Sequence, residues 1–383
     1  MTVVVLALIS LVVTAVAVTL RVARLVIVPV STRAEEITVR EVDRRAGTVT
    51  ITEHPDASVP GHYSLYFSGD HGYAKVGNIT AFGEGTVTRR LIAEKRGRLR
   101  AGLAARISGI FYESPAELGV AYEDVAVETE LGAAPAWLVP AAEPSDHWVI
   151  QVHGRGVDRR EPIRAIPTFR DAGYTSLLIS YRNDGVAPAS ADGRYALGDT
   201  EWRDVEAAIR FARDRGARRI TLMGWSMGGA LVLQCVTRSP LSGHVSGIVL
   251  DSPVVDWIRV LDHQAGALRI PGAIRSAAYQ LISTTWGRRF TGQAAAINLE
   301  RLDFVRRAAE LALPVLLMHS DSDTFVPSTG SRALARLRPD IVTFVPFTGA
   351  GHTRLWNYDE QQWSRSITDW LGTLPPLRRP SSP

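Results

Sequence analysis

The chain has 383 residues, with 43 lysines and arginines against 39 acidic residues and a formal net charge of +4. The basic residues are scattered and no known nucleic-acid-binding module is present, so we expect no nucleic-acid partner. One cysteine cannot build a thiolate metal site, the histidines lack metal-ligand spacing, and no phosphate-binding glycine motif follows a first strand. The composition therefore indicates a globular protein whose chemistry needs no metal and no cofactor.

An apolar segment opens the chain. Residues Val3 to Leu20 are only aliphatic residues, alanine, serine and threonine. As a helix they would extend about 27 Å, and continuation to Val28 would complete a membrane span. We therefore predict a transmembrane anchor over residues 1–30. A cleaved signal peptide, cut near Ala15-Val16-Ala17 to give a secreted protein, is the alternative, although no basic residue precedes the apolar run.

The positive charges around this segment predict its orientation. Arg21, Arg24, Arg33 and Arg40 follow the apolar run, and nothing basic precedes it. Positively charged flanks favour the cytoplasmic side of a membrane. We therefore expect the catalytic part of the chain to lie in the cytoplasm.

Residues 31–142 have the sequence pattern of a small β-rich module. Short runs with alternating apolar residues are separated by glycine and aspartate, and the helical period is weak. The last of these runs, Tyr122 to Val139, is predicted to supply the first hairpin of the following core. The module could restrict access to a site, and we favour a spacer between membrane and enzyme. The predicted strands lie within Glu36–Glu53, Tyr63–Phe67, Ala74–Ile79 and Val87–Ile92.

Residues 143–374 alternate strands and helices, as a parallel α/β sheet does. A helical insertion rich in arginine follows at residues 253–311, and residues 375–383 are predicted to be a disordered tail. The predicted elements at the start of this core are strand Trp148–Val152, helix Pro162–Asp171, strand Ser176–Ser180 and the amphipathic helix Asp199–Asp214.

The pentapeptide Gly224-Trp225-Ser226-Met227-Gly228 is the strongest chemical signal in the chain. It follows an apolar strand and precedes a predicted helix, the context of a nucleophile elbow that exposes a serine hydroxyl above a sheet. Two later strands end in loops that carry Asp323 and His352. Because sites form at the carboxyl ends of strands in such sheets, we expect these residues to meet Ser226.

Together these segments resemble the α/β-hydrolase superfamily, from about Trp148 to Leu374. The elbow matches, the run H-S-D-S-D-T-F-V-P resembles the family's acid loop with Asp323 as the acid, and Gly351-His352 matches its histidine loop. One departure is Ser320, where the family often has glycine. The likeness is greatest to membrane-anchored or secreted serine hydrolases of the esterase and acyl-peptidase type. It implies a mostly parallel twisted sheet flanked by helices, with the insertion as a lid.

The resemblance implies a role for each site residue. Ser226 would attack a carbonyl while His352 accepts its proton and Asp323 orients the imidazole. The backbone N–H groups of Met227 and Arg155 would form the oxyanion hole. The substrate would be a small-molecule acyl compound, an ester above all, with thioester or amide cleavage also open. Apolar side chains of the lid are candidates for an acyl pocket: Trp257, Leu261, Leu268, Tyr279, Trp286 and Phe290.

Several alternatives stay open at this point. Asp251, which follows an earlier strand, competes with Asp323 as the acid, and Asp321 more simply caps its loop. The Arg155 side chain could bind an anionic group of a substrate. An acyltransferase would use the same three residues, and a membrane-tethered binding protein could keep the fold without catalysis.

Overall fold

A long apolar helix opens the part of the chain that the computed structural model describes, residues 2–30 and 33–374. This helix, α1, is Thr2–Ile27, and no proline or glycine interrupts it before Pro29. It is long and apolar enough to cross a membrane, a property that signal sequences share. The predicted tail, residues 375–383, lies outside the described residues.

A closed antiparallel barrel follows the helix. Its strands pair in the order β1, β2, β5, β4, β3, β6, so that β6 closes against β1. Alternate side chains point inward and fill the interior with apolar residues such as Val39, Ile51 and Leu65. The strands are β1 (Ile37–Asp43), β2 (Thr48–Thr52), β3 (Tyr63–Phe67), β4 (Gly72–Gly83), β5 (Thr86–Arg96) and β6 (Ala104–Ser108).

Arg89 is a charged side chain that is completely buried in this barrel. The Arg89 guanidinium donates hydrogen bonds of 2.7–2.9 Å to four carbonyls, those of Ala57, Val59, Gly61 and Gly77. Its planar fork of donors reaches all four at once, which a lysine ammonium could not do in this geometry. Arg89 therefore satisfies backbone groups that would otherwise be buried without partners.

The rest of the described chain is built on an eight-stranded twisted sheet in the order β14, β13, β12, β11, β9, β10, β8, β7. The β7–β8 and β8–β10 pairs are antiparallel, and every other pair is parallel. The chain order reverses between β9 and β11, which creates a crevice at their carboxyl ends. The strands are β7 (Glu123–Thr129), β8 (Gly132–Val139), β9 (His147–Val152), β10 (Thr175–Ile179), β11 (Arg219–Trp225), β12 (Val245–Asp251), β13 (Val315–Ser320) and β14 (Val342–Phe347).

Helices cover both faces of this sheet. One face packs apolar side chains such as Ile209 and Leu231 of α3 and α4, and the other packs Phe169, Trp363 and Ile367 of α2 and α10. The helices are α2 (Ile166–Asp171), α3 (Trp202–Asp214), α4 (Met227–Arg238), α5 (Trp257–Ala267), α6 (Gly272–Ser283), α7 (Arg288–Thr291), α8 (Thr329–Leu337), α9 (Leu355–Tyr358) and α10 (Glu360–Thr373).

The insertion between β12 and β13 contains α5, α6 and α7. The last four turns of α1 pack against α6 and α7, and Ala23 and Ile27 are completely buried there. By contrast, every residue of α1 up to Thr14 is exposed. The first helix therefore has an exposed N-terminal half and a C-terminal half that packs against the rest of the described chain.

Two predicted helix boundaries differ from the structure. The helix predicted over Asp199–Asp214 begins only at Trp202, because Glu201 turns back to accept the N–H groups of Ala196 and Gly198. The helix predicted over Pro162–Asp171 starts with a 3₁₀ turn, Glu161–Ala165, before the α-helix begins. The hydrophobic period reports neither difference, because it does not distinguish the first turn of an α-helix from a 3₁₀ or irregular turn.

The hairpin β7–β8 joins the large sheet, and the last barrel strand ends at Ser108. The domain limits at residues 30, 142 and 374 stay a prediction.

We expect the Arg89→Met variant to lose about 3 kcal/mol or more of unfolding free energy, because several buried carbonyls lose their donor together. Arg90→Met is the matched control, since Arg90 is its exposed neighbour on the same strand. Denaturant unfolding of the full chain in detergent measures both. Equal stability of the two variants would contradict this role for Arg89.

Candidate active site

The turn between β11 and α4 holds Ser226 in a strained backbone conformation. Its φ is 49° and its ψ is −117°, and its N–H donates to the carbonyl of Asp251 on the neighbouring strand at 3.1 Å. The turn requires glycine on both sides. A Cβ on Gly224 would lie 2.6 Å from the Gly228 backbone, and a Cβ on Gly228 would lie 2.2 Å from the carbonyl oxygen of Val152.

His352 and Asp323 reach Ser226 from the ends of neighbouring strands. Nε2 of His352 lies 2.8 Å from Oγ of Ser226, and Nδ1 lies 2.7 Å from Oδ2 of Asp323. Asp323 follows β13 and His352 follows β14, so two adjacent parallel strands deliver them to the same edge. The three side chains form one continuous chain of hydrogen bonds.

The Asp323 carboxylate is buried and held on both oxygens. Its Oδ1 accepts the backbone N–H groups of Phe325 and Val326 at 2.9 and 2.8 Å, which leaves Oδ2 for His352. Burial by itself would raise the pKa of Asp323, but the charge of His352 and the hydrogen bonds from His319 and His352 outweigh it. The pKa therefore lies well below its ordinary value, and the carboxylate stays ionised near neutral pH.

Asp251 has other partners, whereas His319 contacts Asp323, with Nε2 3.3 Å from Oδ2. The Asp251 carboxylate accepts hydrogen bonds from Ser252 Oγ and Trp363 Nε1, both at 2.9 Å, and burial raises its pKa. Both oxygens of Asp251 are therefore engaged by groups other than His352. His319 is buried against Ser331, with Nδ1 and Oγ 2.7 Å apart.

The two predicted oxyanion donors lie beside Ser226. Met227 is the first residue of α4, so no carbonyl of its own helix can accept its N–H. After β9 the chain runs through Gly154 to Arg155. The Gly154 N–H is already used, because it donates to the Glu161 carboxylate at 2.7 Å. The next N–H along this turn, that of Arg155, is the one that remains for an oxyanion.

The Arg155 guanidinium binds the end of α1. It donates to the carbonyls of Leu25 and Val28 at 2.7 and 3.0 Å and lies over the Tyr195 ring. These are last-turn carbonyls, which carry the negative end of the helix dipole. Both bonds come from Nη2, whereas Nε is buried without a hydrogen-bond partner among the described residues, and an anion-binding role of this side chain stays a prediction.

A buried cluster braces the oxyanion turn from below. The hydroxyl of Tyr181 donates to the Gly154 carbonyl at 2.8 Å, and its ring stacks on His153 at 4.3 Å between centroids. Nε2 of His153 lies 3.2 Å from the Asp184 carboxylate. The loop that carries Tyr181 and Asp184 therefore supports the turn at Gly154.

Ser226 lies between two different concavities. On one side is an apolar cavity lined by α1 and by lid residues Trp257, Leu261, Leu268 and Tyr279. On the other side is a polar cleft lined by Asp56 and Arg354, among others. Trp286 and Phe290, expected in the acyl pocket, lie instead in a separate groove between α1 and α6.

The barrel borders the polar cleft, where Asp56 and residues 108–110 form one wall. It is held against the His352 loop by Asn357, whose Nδ2 donates to the His62 carbonyl at 2.7 Å, and by the Arg354–Asp56 ion pair. The barrel is thus part of the site's surroundings, beyond the spacer role that we favoured. Among the described residues, no group of three or more metal-ligating side chains is arranged to hold a metal ion.

The sequence of residues 145–364, more than half of the chain, matches a family model described as "Alpha/beta hydrolase family". The chain belongs to this family. The expected α/β-hydrolase fold, with an apolar N-terminal helix and a small β-rich module, is thereby confirmed. Residues 38–108, the barrel of this hydrolase, match a second model, "Domain of unknown function (DUF8805)".

Individual relatives are more distant. "Uncharacterized protein YfhR" of Escherichia coli strain K12 is 22% identical over 205 residues, which are 52% of this chain and 62% of the relative. The hydrolase thus spans less than two thirds of that curated relative.

Among solved structures, the Pyrococcus furiosus esterase Pf2001 superposes with a TM-score of 0.53 at 19% identity, covering 69% of this chain and 95% of that one. A Mycobacterium tuberculosis puromycin-hydrolyzing peptidase gives 0.52 at 17% identity, covering 87% and 46%. These likenesses describe the fold.

Sequence reasoning missed two parts of this site. Glu161, which holds the Gly154 N–H, stands in a region without a motif, and nothing in its sequence context marks it. The contribution of α1 to the cavity was also missed, because an apolar helix suited to a membrane carries no signal for packing on its own enzyme.

We expect Glu161→Met to lower kcat for p-nitrophenyl acetate at least tenfold, because the Gly154 N–H loses its acceptor and the oxyanion turn shifts. Glu161→Gln keeps an oxygen acceptor of the same reach and should retain most of the activity. Steady-state kinetics measure kcat for both variants, and thermal unfolding checks that both are folded. Equal kcat values for the two variants would contradict the positioning role.

Proposed function

We propose that this protein is a serine hydrolase that cleaves a carboxylic ester through an acyl-enzyme on Ser226. The observation that carries the proposal is the hydrogen-bonded chain from Asp323 through His352 to Ser226, with separations of 2.7 and 2.8 Å. Such an arrangement activates a hydroxyl that is otherwise a weak nucleophile. Thioester or amide cleavage would follow the same route.

In the first half-reaction, Oγ of Ser226 bonds to the carbonyl carbon as Nε2 of His352 accepts its proton. The tetrahedral intermediate then expels the alcohol, which takes that proton from His352. In the second half-reaction, His352 accepts a proton from a water molecule as the water attacks the acyl-enzyme, and it returns this proton to Oγ of Ser226 when the acid product leaves. Asp323 keeps Nδ1 protonated and stabilises the charged imidazole throughout.

The oxyanion that forms twice in this cycle needs donors already in place. The N–H groups of Met227 and Arg155 supply them, and loss of one such donor typically costs about 2.7–4 kcal/mol of transition-state stabilisation. The strained turn at Ser226 and the Glu161 contact with Gly154 keep these groups oriented before substrate binds.

Ester cleavage is favoured over amide cleavage because an alkoxide leaves more readily than an amide anion, so the leaving group depends less on protonation by the general acid. The fold likeness to an esterase, Pf2001, is consistent with this choice, and the likeness to a puromycin-hydrolyzing peptidase is consistent with amide cleavage.

We place α1 in the membrane as a single-pass anchor and the catalytic core in the cytoplasm, where Arg21 and Arg24 beyond the apolar run would lie.

We expect a fluorophosphonate probe to label the purified, detergent-solubilised protein on Ser226, as read by mass spectrometry of the modified peptide. Labelling should fall below detection in His352→Ala and in Ser226→Ala, because the hydroxyl loses its base or is absent. Ser246→Ala, at the opposite end of the sheet, is the control and should label normally. Absence of the fluorophosphonate adduct from a folded wild-type protein would contradict the proposal.

Two conservative variants test the acid. Asp323→Asn should lower kcat about 10⁴-fold, because an amide cannot stabilise the charged imidazole. Asp251→Asn should stay within a few-fold of wild type, since its side chain bonds Ser252 and Trp363 and His352 bonds Asp323. Initial rates on p-nitrophenyl acetate separate the two, and the reverse ranking would move the acid role to Asp251.

A further inference from the structure

We propose that the substrate is an amphiphilic ester of the bilayer that holds the enzyme, and that its long acyl chain binds in the cavity walled by α1. This inference rests on the proposed esterase function and adds the class of substrate and its route. The membrane helix would then be a part of the substrate site in addition to an anchor.

The first observation is the composition of the cavity wall. Val22, Ala23, Leu25 and Val26 of α1 line the same cavity as Ser226. The facing wall is α6, with apolar side chains such as Ala278 and Ile282, so the nucleophile opens onto a surface without fixed charge except Arg155 and Arg275 at its margin. An acyl chain is the part of an ester that such a surface binds.

The wall is fixed to the catalytic core. Besides the two bonds from Arg155, the carbonyl of Ile27 accepts the N–H of Tyr195 at 2.8 Å, and Ala23 and Ile27 are fully buried. Arg155 also supplies a proposed oxyanion donor through its backbone. The end of α1 and the reacting serine therefore keep a constant separation.

The length of α1 determines how deep the lid lies. The exposed half, Thr2 to Thr14, has thirteen residues and a length of roughly 20 Å. A hydrocarbon core of about 30 Å needs around twenty residues. A spanning α1 must therefore carry about seven further residues into the bilayer, and those residues already pack against α6 and α7.

The outer surface of the lid suits that depth. Trp286 and Phe290 are 57% and 54% exposed beside α1, and with Ile274 they line a groove that continues onto Val16 and Leu20. Exposed aromatic side chains beside a membrane helix are typical of the interfacial belt.

A basic group lies at the same level. The Arg24 guanidinium donates to the Phe290 carbonyl at 3.3 Å, and α7 adds Arg288 and Arg289. Cationic side chains at this level attract anionic lipid head groups.

The cleft on the other side of Ser226 completes the argument for an amphiphile. It is lined by Arg33, Asp56, Thr353 and Arg354, with the barrel as one wall. A scissile ester at Ser226 would thus have its apolar acyl part toward α1 and its polar alcohol part toward the barrel. The apolar part and the polar part of a membrane lipid ester would thus each lie against a surface of matching polarity.

The test compares two esters that share the p-nitrophenolate leaving group. p-Nitrophenyl acetate is supplied in water, and p-nitrophenyl palmitate is supplied in vesicles of ether-linked diphytanyl phosphatidylcholine. Full-length enzyme is reconstituted into such vesicles. Val26→Phe and Val22→Phe narrow the cavity from α1, and Val18→Phe adds the same bulk at a position that lines neither the cavity nor the groove. The two cavity variants should lower kcat/KM for palmitate at least tenfold and for acetate less than twofold, and Val18→Phe should change neither.

A second arm identifies the source of the substrate. Palmitate ester in the same vesicles as the enzyme should be cleaved at least tenfold faster than palmitate ester supplied in separate vesicles. Equal rates would overturn entry from the bilayer, and an unchanged palmitate-to-acetate ratio in both cavity variants would overturn the acyl site on α1. Wild-type cleavage of acetate without palmitate would also overturn it, whereas failure on both esters would count against the proposed esterase itself.

Discussion

The catalytic edge of this protein depends on one tight backbone turn. Ser226 takes a φ of 49°, which a residue with a side chain adopts only when its surroundings hold it there. The hydrogen bond to the Asp251 carbonyl and the absence of side chains at Gly224 and Gly228 meet that requirement. The turn lifts the hydroxyl above the sheet and begins α4 at Met227. In the proposed mechanism, His352 and the two oxyanion donors can act only because that hydroxyl is in this position.

Arg155 joins parts of the molecule that are far apart in the sequence. Its backbone lies at the oxyanion turn, and its guanidinium binds carbonyls more than 120 residues earlier. A positive charge at a helix C-terminus is favourable because unpaired carbonyls concentrate negative partial charge there. The same residue therefore attaches the N-terminal helix to the site, and any tilt of α1 would act on the turn beside Ser226.

The barrel is a second structure fitted against the catalytic edge. Its interior is held together by Arg89, a charge that is tolerable because four carbonyls surround it. Its outer side meets the His352 loop through Asn357 and Arg354. Ser226 consequently has an apolar wall contributed by the first helix and a polar wall contributed by the barrel, and the two walls come from consecutive segments of the chain.

Local patterns in the sequence were sufficient to predict the parallel sheet, the elbow and the proximity of Ser226, Asp323 and His352, because the carboxyl ends of parallel strands share one edge. They also indicated an apolar first helix. Sequence patterns could not assign Glu161 to Gly154, Arg155 to the end of α1, or Val22 and Val26 to the cavity, since each pairing joins segments without a shared period or motif. In the sequence, Asp251 and Asp323 both come at the end of an apolar strand. Only the tertiary packing directs the Asp251 side chain toward Trp363 and the Asp323 side chain toward His352. Periodicity reports which face of an element is buried, whereas the identity of the partner depends on how distant elements pack.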